Sequence, residues 1–172
     1  MKPNEIRFSP DQRALVARAL GEAEERTARY YCIPPYHWQN LPYDLLTRGD
    51  RDWRPLPDST LAEVLYMQRA APVTRAGKCS ELYRIQLNDE SILRAANREN
   101  VQSSLYPLLV YVLTHEMVHL VRLSSILERG IFSTAPCDSE EDRVHRISRQ
   151  ILAGAGHPGL VQVLNRFCVA RA

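Results

Sequence analysis

Long hydrophobic runs, paired cysteines and dense charge blocks are all missing from this 172-residue chain. The longest apolar stretch, Leu105–Leu113, is too short for a bilayer span, which takes about 20 residues. Extending it to Leu127 reaches spanning length, but puts His115, Glu116, His119 and Arg122 into lipid. Ionisable groups are costly there and one isolated span cannot seal them, so no membrane span is expected. Cys32, Cys79, Cys137 and Cys168 lie far apart and form no Cys-x-x-Cys pair, which argues against a cysteine zinc knuckle. Met1-Lys2-Pro3-Asn4-Glu5 has no apolar signal core, so a cytoplasmic setting with free thiols is the expectation. Lys and Arg number 22 against 20 Asp and Glu, a net charge of +2 with no basic run. A nucleic-acid partner is therefore not expected. There is no internal repeat and no low-complexity tract, and residues 1–172 suit one domain.

What is present is concentrated in Thr114-His115-Glu116-Met117-Val118-His119. This is His-Glu-x-x-His inside an apolar stretch with helical spacing. Positions i and i+4 of a helix lie on one face, one turn apart. Two imidazoles there can share one zinc ion, and Glu116 beside the first can serve as general base to an activated water. At this composition the motif arises by chance on the order of once in a hundred chains. The bland alternative is a pair of core histidines satisfied by hydrogen bonds. The surrounding Leu105–Leu113, Leu120 and Val121 make such burial costly without a partner, which a metal supplies.

The rest of the chain places this helix. Ser9-Pro10-Asp11-Gln12 reads as a helix start, with Leu15, Val16, Ala19, Leu20 and Ala23 as its buried stripe and an end near Tyr30. Pro34, Pro35, Pro42, Pro55 and Pro57 crowd residues 31–60, which predicts an irregular wrap or lid. Its Tyr36, His37, Trp38, Tyr43 and Trp53 are packing anchors or the lining of a cleft. Leu61–Met67 fits a helix or a strand, and Arg75-Ala76-Gly77-Lys78 a turn. Glu81–Asn88 alternates, with Tyr83, Ile85 and Leu87 on one side and Arg84 and Gln86 on the other, the pattern of a half-buried strand. Asp89 or Ser91 can cap a short helix through Ala96. Ser103 or Ser104 then caps the motif helix, which tolerates Pro107 in its first turn, runs to about Glu128 and stops at Gly130. Ile131–Asp138 is a loop, Glu140–Ala153 a helix capped by Asp138 or Ser139, and Pro158 begins a last helix to Phe167. The expected class is α+β, mostly helical, with a small sheet beside the motif helix.

A catalytic zinc takes a third protein ligand. The metzincin extension is excluded, because Arg122 and Ser125 stand where it needs Gly and His. The next helix offers Glu140, Glu141 and His145, of which Glu141 and His145 share a face as i and i+4. A helix end, a loop and an antiparallel return between His119 and Glu141 bring that helix over the two imidazoles. The acidic cluster alone would also be favoured at a helix N-terminus by the dipole.

This order of strand, motif helix, loop and glutamate helix over Tyr83–Ala153 resembles the gluzincin, thermolysin-like branch of the zincin metallopeptidases. The resemblance implies a zincin-like domain with zinc as cofactor, His115, His119 and Glu141 as ligands and Glu116 as catalytic base. A peptide or protein is the implied substrate. His145 departs from the Asp common one turn after the ligand Glu, and is expected to orient a ligand group or to bind the oxyanion as a second catalytic residue. Arg143, Arg122 and a loop tyrosine are the other candidate donors. The Tyr83–Leu87 strand either offers its edge to an extended peptide or is an ordinary sheet member. Two other classes fit less closely. One is a zincin fold used as a regulatory or binding module. The other is a ferritin-like di-iron protein using Glu116-x-x-His119, Asp142-x-x-His145 and Glu24 or Glu25.

Overall fold

The computed structural model describes residues 6–39, 41–69, 80–98, 105–129 and 139–167. Its elements are α1 (Pro10–Tyr30), α2 (Pro35–Gln39), β1 (Tyr43–Leu46), β2 (Ala62–Arg69), β3 (Ser80–Leu87), α3 (Asp89–Asn97), α4 (Leu105–Arg129), α5 (Glu140–Leu152) and α6 (Leu160–Phe167). The class is α+β, mostly helical, as expected. The Arg75–Lys78 turn, the Ser103 or Ser104 cap, the Gly130 stop and the Ile131–Asp138 loop fall outside the described residues. None of the described helices is long and apolar enough to cross a membrane.

α1 begins where the chain chemistry says it should. Ser9 and Gln12 form a reciprocal capping box, and Pro10 takes the first helical position. Its buried stripe is Val16, Ala19, Ala23 and Thr27, mostly small side chains that let α1 lie close along α4. α4 is buried on every side from residue 107 to residue 118. A helix apolar all round needs neighbours all round, and α1, α3, α5, α6 and β2 surround it. Pro107 is its third residue, where a missing N–H costs little.

The sheet has three strands in the order β1-β3-β2. β3 pairs antiparallel with β2, Val64 opposite Ile85, and parallel with β1, Leu45 opposite Ile85. The ambiguous Leu61–Met67 segment is thus a strand. β3 is the central strand, so of its two readings the ordinary sheet member holds, and among the described residues the open edge beside α4 belongs to β2.

Four further expectations are corrected. Residues 31–60 are not wholly irregular, since α2 and β1 form there. The wrap is pinned: Trp53 donates its indole N–H to the Leu87 carbonyl at 2.7 Å, and the Gln86 amide exchanges two hydrogen bonds with the Arg54 backbone. Gln86 is consequently buried at 1% exposure, on the face of β3 expected to meet water. Asn88, not Asp89 or Ser91, caps α3, accepting from the Ser91 N–H at 3.3 Å. Asp89 is buried instead and joins two distant segments by accepting from the N–H groups of Phe8 and Arg48, both at 2.9 Å. Last, α6 starts at Leu160, after a turn in which Gly159 has a φ of 83°.

One polar cluster clasps α1 to α4 and to the turn before α6. Glu22 accepts from Arg26 (2.7 Å), from the Tyr106 hydroxyl (2.8 Å) and from His157 (2.7 Å). Burial alone would raise the Glu22 pKa, but these donors outweigh it and hold it below 4.5. A carboxylate with a depressed folded pKa contributes stability above its unfolded pKa and loses it as pH falls through the folded value. Glu22→Gln is therefore expected to cost on the order of 1–3 kcal/mol at pH 7 and little at pH 3. Urea unfolding at the two pH values measures this, and an equal cost at both would contradict it.

Candidate metal centre

α4 aligns Tyr111, His115 and His119 on one face, each one turn after the last. α5 returns across this face. Ser139 caps it, accepting from the Asp142 N–H at 3.1 Å, and Glu140, Glu141 and Asp142 occupy its first turn. The positive end of the helix dipole favours carboxylates there. Arg122 of α4 forks onto both oxygens of Glu140, with its Nη2 3.0 Å from Oε2. That pair ties α5 to α4 one residue before Glu141, which faces the imidazoles.

Glu141 Oε1 lies 3.0 Å from His115 Nε2, and Oε2 lies 3.2 Å from His119 Nε2. The two Nε2 atoms are 3.2 Å apart. His145 Nε2 is also 3.2 Å from Glu141 Oε1. His115 and Glu141 therefore belong to two overlapping triads, one closed by His119 and one by His145, the latter with its ligand atoms within 4.8 Å of one another. Four-coordinate zinc with bonds of about 2.0–2.1 Å separates its ligand atoms by about 3.3–3.4 Å. The two Nε2 atoms, 3.2 Å apart, stand near that spacing, and Glu141 turns a different oxygen to each, at 3.0 and 3.2 Å. Three imidazole nitrogens turned toward one carboxylate are a donor set suited to a divalent cation. One contact common at zinc histidines is missing among the described residues: the buried His115 Nδ1 has no acceptor.

The charges respond to this crowding. Hydrogen bonds from His115 and His119 hold Glu141 well below the usual carboxylate range. Burial lowers His115. Burial alone would lower His119 too, but Glu141 and Glu116 outweigh it and hold it above its ordinary value. Glu116, 5% exposed, is pushed up to about 7 by burial, with Glu141 and Glu63 adding to the rise and His119 opposing it. A carboxyl group near neutrality can both take and return a proton.

All five of His115, Glu116, His119, Glu141 and His145 line one cleft of about 1230 Å³. Its other walls come from residues 58–64 leading into β2, from α3 and from the end of α6. The remaining candidates are engaged elsewhere. Glu140 is held by Arg122 and, at 3.9 Å, by Arg143, so the rival carboxylate points away and both arginines are taken up by it. Tyr36, His37, Trp38, Tyr43 and Trp53 are absent from the lining and act as anchors or surface groups. Glu24 bonds to Tyr43 and Glu25 pairs with Arg29, so α1 sends neither carboxylate to the cluster.

Sequence reasoning overlooked Tyr111, whose hydroxyl lies 2.9 Å from His145 Nδ1, and Phe167, which stacks on it at 5.8 Å. The signal for Tyr111 was its place four residues before His115. No protein-family model, curated protein or solved structure matches this chain. The side-chain chemistry therefore carries the functional reading.

If the Arg122–Glu140 pair sets the position of Glu141, Arg122→Ala lowers zinc affinity by roughly tenfold. Competition with a chromophoric chelator reads this, and parent-like affinity would show the pair to be idle.

Proposed function

We propose that this protein is a zinc-dependent hydrolase of peptide bonds, gluzincin-like in the arrangement of its site. The observation that carries this reading is the convergence of His115, His119 and Glu141 at ligand spacing, with buried Glu116 beside them in an open cleft. His115, His119 and Glu141 would hold the ion. Zinc, when bound, supplies Lewis acidity to a carbonyl and makes a water more acidic.

The chain's own groups do the rest. Glu116 accepts the proton of the attacking water and delivers it to the leaving amine. His145 lines the same cleft and donates to the oxygen that gains charge as the carbonyl is attacked. The open edge of β2, whose residues 62–64 line the cleft, supports an extended peptide as substrate, since main-chain hydrogen bonds can add it as a further strand. Cys32 is exposed and unpaired among the described residues, which is compatible with a reducing compartment such as the cytoplasm.

Purified protein is expected to hold close to one zinc per chain. Glu116→Gln keeps the metal and loses at least about 100-fold in turnover of an unfolded protein substrate, while His115→Ala and His119→Ala lose the metal. Elemental analysis with a turnover assay measures both. Undiminished hydrolysis by Glu116→Gln, or parent-like metal content in folded His115→Ala and His119→Ala, would sink the reading.

A further inference from the structure

The cleft contains a buried side chain that the proposed chemistry leaves without a task. Tyr111 is 3% exposed. Its ring stacks on Phe167 with centroids 5.8 Å apart, and meets the His115 ring at 6.0 Å. Its hydroxyl lies 2.9 Å from His145 Nδ1 and 3.4 Å from the Phe167 carbonyl.

A tyrosine hydroxyl has one proton to donate. The nitrogen stands at an ordinary hydrogen-bond length, whereas the carbonyl is at the outer margin. A bare Nδ1 is therefore the better of these two acceptors for that proton. On the far side of the ring, Nε2 lies 3.2 Å from Glu141 Oε1, and an ionised carboxylate only accepts. Both neighbours therefore favour one arrangement, in which Nδ1 is bare and bonded by Tyr111 while Nε2 carries the proton.

We propose that Tyr111 is a positioning residue that donates to His145 Nδ1 and so holds the ring in its Nε2–H form, with that N–H directed into the cleft beside Glu141. The inference rests on the zinc-hydrolase reading of the same site and deepens it. A protonated Nε2 has no lone pair for a cation, so of the two overlapping triads the one with His119 binds the metal. His145 is left as a hydrogen-bond donor within the cleft. The rigidity comes from α4, since the hydroxyl projects from a buried position one turn before a ligand and its ring is pressed against Phe167. A merely space-filling role would be met as well by phenylalanine.

The test is a long-range proton–nitrogen correlation spectrum of the full chain, labelled at histidine, free of metal and at a pH where the ring is neutral. The parent is expected to show His145 with a proton-bearing Nε2 and a bare Nδ1. In Tyr111→Phe, which keeps the ring stacking, the Nδ1 resonance moves toward that of a nitrogen with no donor. In the zinc-loaded protein the same change lowers kcat by about tenfold with KM nearly constant. A proton on Nδ1 in the parent overturns the proposal whether or not the variant folds, and so does an Nδ1 resonance that does not move in folded Tyr111→Phe. Failure of the zinc reading shows separately, as a parent that binds no zinc or turns nothing over, because the nitrogen spectrum is recorded without metal.

Discussion

Glu141 is the point at which two helices are made into one site. Its two oxygens lie 3.0–3.2 Å from three imidazole nitrogens, two on α4 and one on α5. A carboxylate among imidazoles is stable there only if the helices hold a fixed rotation and separation. The fold supplies both. The apolar girth of α4 draws neighbours around it, the Ser139 cap sets where α5 begins, and Arg122 pairs with Glu140 beside the inward-facing Glu141.

The same constraint explains the polarity of the centre. α4 is buried on all sides through residue 118, yet its Thr114, His115 and Glu116 are buried polar groups. Their burial is costly unless they find partners. Glu141 reaches His115 and His119, whereas Glu116 carries the cost as a pKa near 7. Burial that is unfavourable for folding thus concentrates proton-exchanging and cation-seeking groups where the cleft opens.

Much of this was legible in the residues because the decisive signals are local. The Ser9–Gln12 capping box, the four-residue spacing of His115 and His119 and the Ser139 cap each depend on neighbours in the chain. The preference for Glu141 over Glu140 was legible too, since one residue turns a helix by about 100°. What escaped depends on contacts across long separations. β1 forms in a proline-rich stretch because β3 offers it an edge, with Tyr43 opposite Tyr83. Gln86 looks solvent-facing by alternation, but the Arg54 backbone covers it. β3 has no free edge because both of its neighbours come from earlier in the chain. Tyr111 read as one more member of an apolar run, and only the return of α5 gives its hydroxyl a partner.

The most direct test of the central claim is anomalous diffraction at the zinc edge from crystals of the full chain grown with excess zinc. The account predicts a single strong peak bonded to His115 Nε2, His119 Nε2 and an oxygen of Glu141 at about 2.0–2.2 Å. No peak in the cleft, or a peak held by other side chains while these imidazoles point apart, would contradict it.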